Sequence, residues 1–290
     1  MGLMSWEESV QWLRNQPDQQ ELVRACYFDD PLLESAERFW QSVEWKSIAE
    51  LLPIPKSKGN ALDLAAGRGI SSYALARDGW TVTALEPDPG ELVGSGAIRS
   101  LIKQSNLPIS IVSEYSENLP FEDNNFDVVN CRQALHHAKD LGKTCREIYR
   151  VLKPGGLMIA TREHVISEPE DLPAFLDSHP LHKYYGGENA YLLEEYLSAI
   201  AMSGLNITRT MAPLDSPINY FPMTDEQMYD YCTGSVAKIF GEMITQKIFS
   251  SSHFIGRFLM SWRVARMNLH DHTPGRLYSF LAEKPIAATN

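Results

Sequence analysis

The run Asn60-Ala-Leu-Asp-Leu-Ala-Ala-Gly-Arg-Gly-Ile-Ser-Ser72 constrains this chain more than any other stretch. An apolar segment ending in Leu62-Asp63-Leu64 reads as a buried strand. Ala65 and Ala66 then lead into Gly67-Arg68-Gly69, and Ile70 to Arg77 reads as a helix. Strand, glycine turn and helix together let a ligand touch bare backbone at a helix N-terminus. Gly67 and Gly69 permit positive φ there and carry no Cβ to block the ligand. The next strand, Thr81-Val-Thr-Ala-Leu-Glu86, ends in an acid. A carboxylate about 20 residues past such a turn accepts hydrogen bonds from ribose hydroxyls. The two parts point to a nucleoside-containing cofactor; a plain βαβ turn with a solvated Glu86 is the bland alternative.

The dinucleotide fingerprint ends in a third glycine or alanine, where this chain has Ser72, and an acid, Asp63, closes the first strand. The arrangement resembles motif I, Asp-x-Gly-x-Gly-x-Gly, of the class I S-adenosylmethionine (AdoMet) methyltransferases, with Ala65 in place of the first glycine. Further along, Glu117-Asn118-Leu119-Pro120-Phe121 and Phe126-Asp127-Val128-Val129 look like the segment joining strands three and four in the ubiquinone/menaquinone-type (methyltransferase type 11) family. Ala134-Leu-His-His137 after the fourth strand and Leu152-Lys-Pro-Gly-Gly156 before the fifth are similar to that family as well. The resemblance covers about residues 59 to 163.

The resemblance implies an α/β fold, a doubly wound Rossmann-like sheet of seven strands in the order 3-2-1-4-5-7-6 with strand 7 antiparallel. It implies AdoMet as cofactor and S-adenosylhomocysteine as product. Carried over residue by residue, it places Asp63, Ala65, Gly67, Arg68, Gly69, Glu86, Pro87, Glu117, Asn118, Arg132, Gln133 and His137 at the cofactor. Glu117 matches the acid beside adenine, whereas Tyr115 stands where the family often has another acid. Helices preceding the first strand commonly cover the cofactor in this superfamily, which makes Tyr27 and Arg38 candidates for a lid contact.

Residues 1–55 read as this helical lid. Ser5 and Glu8 form a capping box, and Trp6, Val10 and Leu13 share one helical face. Tyr27-Phe-Asp-Asp-Pro31 interrupts the pattern, Leu33 to Leu52 resumes it, and Pro53 to Gly59 is a short linker. Residues 56–223 and 269–290 form the AdoMet-binding domain, and 224–268 read as a largely helical insertion between strands six and seven, a cap over the pocket. Membrane or partner docking is the alternative for the insertion.

The net charge of −11 over 290 residues argues against non-specific nucleic-acid binding, which needs Lys and Arg to neutralise phosphates. No apolar run is long enough to span a bilayer, and the N-terminal residues show no basic-then-apolar pattern. Cys26, Cys131, Cys145 and Cys232 are scattered, so reduced thiols and a cytoplasmic location are expected. A homodimer is left open. No metal is expected: adjacent His136 and His137 point in different directions on a helix, and no Cys or carboxylate lies at ligand spacing.

The methyl on a sulfonium is already activated, so its transfer needs alignment more than a shared catalytic residue. For a hydroxyl acceptor a histidine can take the proton, and His136, His164 and His182 are the candidates by position. The segment His179 to Tyr191 carries His182, Tyr184, Tyr185, Glu188, Asn189 and Tyr191 between glycines and reads as an acceptor loop. The expected function is AdoMet-dependent methylation of a small molecule, at oxygen or nitrogen more than carbon. A non-catalytic AdoMet-binding protein and a Rossmann oxidoreductase are the other classes.

Overall fold

The computed structural model describes residues 3–53, 59–243, 245, 247 and 253–286. Most of the expected linker and parts of 244–252 lie outside the described residues. Four helices come first: α1 (Trp6–Arg14), α2 (Gln20–Ala25), α3 (Leu32–Gln41) and α4 (Val43–Ala49). α1 starts where its sequence says it should. Ser5 Oγ accepts the Glu8 N–H at 3.2 Å, and Glu8 Oε2 accepts the Ser5 N–H at 2.7 Å.

An alternating α/β pattern follows: β1 (Asn60–Leu64), α5 (Ile70–Arg77), β2 (Thr81–Leu85), α6 (Ser95–Ser105), β3 (Ile109–Val112), β4 (Phe126–Arg132), α7 (Leu141–Val151) and β5 (Leu152–Ile166). The rest of the chain forms α8 (Leu172–Ser178), α9 (His182–Tyr185), β6 (Tyr191–Leu192), α10 (Leu193–Met202), β7 (Asn206–Met211), α11 (Pro217–Tyr220), α12 (Asp225–Phe240), α13 (His253–Leu269) and β8 (Arg276–Glu283).

The strand order is β3-β2-β1-β4-β5-β8-β7, with the two-residue β6 pairing β5. β1 to β5 run parallel, and β8 is antiparallel to both β5 and β7. With β6 set aside, this is the expected order. β6 is absent from the sequence reading because two residues are too short to carry a periodicity. Strand order reverses between β1 and β4, the switch point at which α/β sheets hold ligands outside their carboxyl ends.

Alternation along each strand splits the core. Ala61, Val128 and Ile159 face one cluster with Phe39, Trp45 and Ile98, while Leu62, Val129 and Met158 face another with Ile148, Tyr196 and Ile200. Helices therefore cover both faces. A third cluster joins Val10, Leu13 and Val23 of the N-terminal helices to Val93 and Leu181, above the carboxyl edge of the sheet.

α6 begins at Ser95, after residues 88–94 form a closed loop in which the Ser95 N–H donates to the Asp88 carbonyl at 2.7 Å. The Lys153 to Gly156 turn is an irregularity inside β5: its register to β4 shifts there, and Gly155 takes a φ of 78°. In 224–268, Met228 is buried but Tyr231, Ile239, Phe240 and Met243 are exposed. α12 and α13 pack on each other and connect to the domain through Asn268, whose side chain bonds Leu214 N (3.0 Å) and Asp215 (2.7 Å). Among the described residues no helix is long and apolar enough to cross a membrane.

Candidate active site

The turn after β1 takes left-handed backbone at three alternate positions: Ala65 (φ 54°), Gly67 (53°) and Gly69 (80°). Ala65 thus occupies a conformation that glycine adopts without strain and alanine does not. Gly69 is the N-cap of α5, and a Cβ there would meet Ile98 at 3.2 Å, so its smallness serves helix packing. At Gly67 an added Cβ meets nothing closer than 3.9 Å, and the residue faces open space.

That space is a cavity of about 520 Å³ along the carboxyl ends of β1, β2, β4 and β5. Of the expected cofactor residues, Asp63, Ala65, Gly67, Arg68, Glu86, Pro87, Arg132, Gln133 and His137 line it. Gly69, Glu117 and Asn118 do not. Glu117 instead accepts the Lys139 N–H at 2.8 Å, holding the loop after β4, and Asn118 is exposed.

The two acids at the β1–β2 end of the cavity are buried and held by donors. Asp63 takes Ser72 Oγ at 2.6 Å and Asn130 Nδ2 at 2.7 Å; burial still pushes its carboxyl up to about 6. Glu86 accepts Gly67 N at 2.7 Å and Asp88 N at 2.9 Å, and burial pushes it up to about 7.

The N-terminal helices roof the cavity with Trp6, Leu13, Leu22, Cys26, Tyr27 and Phe28. Two arginines tie this roof to the sheet. Arg68 donates to the carbonyls of Tyr27 (2.7 Å) and Asp29 (3.0 Å) and pairs with Asp30 (2.6 Å). Arg132 binds the fully buried Glu44 of α4 at 2.7 Å and 3.2 Å. Arg38, in contrast, pairs with Asp29 at 2.9 Å and does not line the cavity.

The other end of the cavity is a cluster of histidines and glutamates. His136 Nδ1 lies 2.7 Å from Glu163 Oε2, and Glu163 also accepts the N–H groups of Ala134, Leu135 and His136. Burial opposes charge on His136, but the Glu163 hydrogen bond and the Glu188 carboxylate outweigh it and raise it to about 9. His164 Nδ1 bonds the Gly275 carbonyl at 2.9 Å, and His137 Nδ1 the Gly187 carbonyl at 3.1 Å. Burial and the neighbouring His136 charge lower His164 to about 3 and His137 to about 4. His179 Nε2 lies 3.7 Å from Glu188 Oε1, and the Tyr185 hydroxyl donates to that same oxygen.

The expected acceptor loop is therefore only partly at the cavity. Tyr185 and Glu188 line it. Tyr184 packs on Trp12 at 4.2 Å, the Tyr191 hydroxyl donates to the Ala138 carbonyl at 2.6 Å, and His182 and Asn189 are not among the lining residues. No described residue of 224–268 lines the cavity either. The insertion joins the carboxyl end of β7 to the start of β8, on the correct edge of the sheet, but its helices lie away from this opening.

Glu163, His179 and Glu44 were not singled out from sequence. Glu163 had only a weak signal, since it sits in the polar run Thr161-Arg-Glu-His164 that follows the apolar part of β5. Glu44 had none, since its partner Arg132 is distant in the chain, whereas His179 opens the same segment that carries its partner Glu188.

Comparison with known proteins agrees with this geometry. Residues 62–160 match the family described as "Methyltransferase domain". The ubiquinone/menaquinone biosynthesis C-methyltransferase UbiE of Brucella abortus is 29% identical over 153 residues, 52% of this chain and 55% of that protein. The 2-phytyl-1,4-naphtoquinone methyltransferase of Nostoc punctiforme is 34% identical over 128 residues, 43% of this chain and 56% of that one. The chain thus spans about half the length of these curated relatives. Among solved structures, phosphoethanolamine N-methyltransferase 2 of Haemonchus contortus, bound to S-adenosylhomocysteine, aligns with a TM-score of 0.56 at 18% identity, covering 98% of this chain and 62% of that one. The 4+2 cyclase SpnF aligns at 0.55 and 20% identity over 88% and 82%. Such likeness establishes the fold and leaves the reaction to the site. The stretch 62–160 thus matches a methyltransferase domain, and the chain has the fold of the class I S-adenosylmethionine-dependent methyltransferases.

Proposed function

We propose that this protein transfers the methyl group of AdoMet to the oxygen or nitrogen of a small-molecule acceptor. One observation carries the reading: a single cavity joins the Gly67–Glu86 turn to the His136–His164–Glu188 cluster. The cofactor's ribose would bond Glu86, and its chain would lie along the bare backbone at Ala65 to Gly67. The acceptor would then enter from the polar end. Its recognition falls to Tyr185, Glu188 and the histidines beside the apolar roof, and these polar groups favour a polar nucleophile over carbon. The carbon acceptors implied by the names of the quinone methyltransferase relatives are the competing case.

The roof formed by α1, α2 and Cys26 to Phe28 serves as a lid in this reading. Holding nucleophile and methyl in line is worth ~7–11 kcal/mol of barrier, more than a single proton acceptor supplies. A roof tied down at Arg68 and Arg132 provides such fixed geometry and keeps water from the sulfonium.

The test is a methyl-transfer assay with isotopically labelled AdoMet and a panel of hydroxyl-, amine- and ring-carbon-bearing small molecules. The reading expects S-adenosylhomocysteine formed one-for-one with an O- or N-methylated product. A C-methylated product would transfer the assignment to carbon. Cofactor binding without turnover on any acceptor class would favour the non-catalytic alternative.

A further inference from the structure

Three side chains from distant parts of the chain converge at the polar end of the cavity. His136 follows β4, His164 lies in β5, and Glu188 follows α9. One ring nitrogen of each histidine and one Glu188 oxygen lie within 4.8 Å of one another. The absence of a metal, expected from local spacing, therefore meets a ligand set that no local spacing could have shown.

Both rings are fixed from behind. His136 Nδ1 faces the buried Glu163 carboxylate at 2.7 Å, and His164 Nδ1 donates to the Gly275 carbonyl at 2.9 Å. Each arrangement leaves Nε2 for the cluster. A carboxylate or carbonyl behind Nδ1 is how metal-ligating histidines are oriented and made more basic.

Glu188 supplies an independent observation. Its side chain is 5% exposed, yet its Oε2 is buried without a hydrogen-bond partner. Tyr185 and His179 address the other oxygen and so turn Oε2 inward. His136 Nε2 stands 3.6 Å from it. That is too long for an N–H···O bond of ~2.7–3.2 Å. It is close to the separation of about 3.4 Å between two ligands each ~2.1 Å from one tetrahedral ion.

We propose that His136, His164 and Glu188 bind one divalent first-row transition ion through the two Nε2 atoms and the Glu188 carboxylate. Binding needs an unprotonated Nε2 on both rings, so a proton on His136 Nε2 leaves to solvent as the metal enters. Imidazole with carboxylate suits zinc, cobalt or iron(II) better than the all-oxygen ions magnesium and calcium. Three protein ligands leave coordination positions open toward the cavity. A hydroxyl bound there would have its pKa lowered and would be presented as a nucleophile. That role rests on the methyltransferase reading; the ion site itself does not.

The test uses the full chain, stripped with chelator and titrated with Co²⁺ in the absence of AdoMet. One equivalent should bind with visible ligand-field bands, and zinc should displace it. Glu188→Gln and His164→Gln should each weaken binding by about tenfold or more. X-ray absorption of the zinc-loaded wild-type protein should show two imidazole ligands and no sulfur, an observation that does not depend on any variant folding. No saturable binding, binding unchanged in both folded variants, or sulfur in the coordination shell would each overturn the site. Because methyl transfer is not measured, none of these outcomes bears on the cofactor reading.

Discussion

Glu86 Oε2 accepts the amide hydrogen of Gly67 at 2.7 Å, so the acid ending β2 is bonded to the glycine turn that follows β1. Its other oxygen takes the Asp88 N–H. A carboxylate has about four lone-pair sites, which leaves roughly two for ribose hydroxyls. Glu86→Ala should weaken AdoMet binding by ~1–3 kcal/mol, as expected for hydrogen bonds to a charged group. Calorimetry finding unchanged affinity in the folded variant would remove Glu86 from the cofactor site.

The same residue predicts a pH dependence. Burial places the folded Glu86 at about 7, above its ordinary value of 4.5. Between those values the folded chain holds a proton that the unfolded chain has lost. The contribution of Glu86 to stability is therefore fully present below about 4.5 and falls as pH rises through about 7. Ribose hydroxyls favour the ionised carboxylate, so cofactor binding near neutrality should release protons. Calorimetry in buffers of different ionisation enthalpy measures that release, and Glu86→Gln should diminish it. Asp63, pushed up to about 6, accounts for any remainder.

Ala65 and Gly67 share a left-handed backbone but should respond in opposite directions. Ala65→Gly relieves strain of ~1–2 kcal/mol and adds glycine's unfolded-state entropy, for a net gain of up to about 1 kcal/mol. Cofactor affinity should be kept. Gly67→Val places a branched side chain in the cavity at positive φ, so both melting temperature and AdoMet binding should fall. A Gly67→Val protein that binds AdoMet like its parent would show that the cofactor does not approach this turn.

Glu44 is fully buried against Arg132. Glu44→Ala leaves that guanidinium unpaired and should cost about 3–5 kcal/mol in chemical denaturation. A loss below about 1 kcal/mol, the range of surface pairs, would mean that water reaches Arg132.

Tyr185 combines ring packing on Trp6 at 4.6 Å with its hydroxyl on Glu188. Tyr185→Phe keeps the ring and removes the hydroxyl. AdoMet affinity should hold while acceptor turnover drops by up to about tenfold, the worth of one hydrogen bond. Equal loss of both would mean that the loop supports the cofactor as well.

What could be read from the chain was what neighbours in sequence determine. The Asn60–Ser72 run, Glu86 and the α/β alternation are local patterns, and strand, turn and helix appear where those residues placed them. The Glu117 position illustrates the limit. A motif match gave its place after β3, but the direction of its carboxylate depends on the Lys139 amide, which no spacing encodes. Tyr184 and Tyr191 were equally compatible with binding and with packing; Trp12 and the Ala138 carbonyl occupy them. The His136–His164–Glu188 cluster was invisible for the same reason, since it is assembled by the pairing of β4 with β5 and the return of the loop after α9.

Arg68 lies between Gly67 and Gly69, yet its guanidinium grips Tyr27, Asp29 and Asp30. The residues that would touch the cofactor and the residues that would have to part to release it are thus joined by one side chain. Displacing Tyr27 to Asp30 breaks the hydrogen bonds of a side chain anchored in the turn at which the cofactor would bind. Entry and departure of the small molecule would then both pass through the bonds of one arginine inside the motif itself.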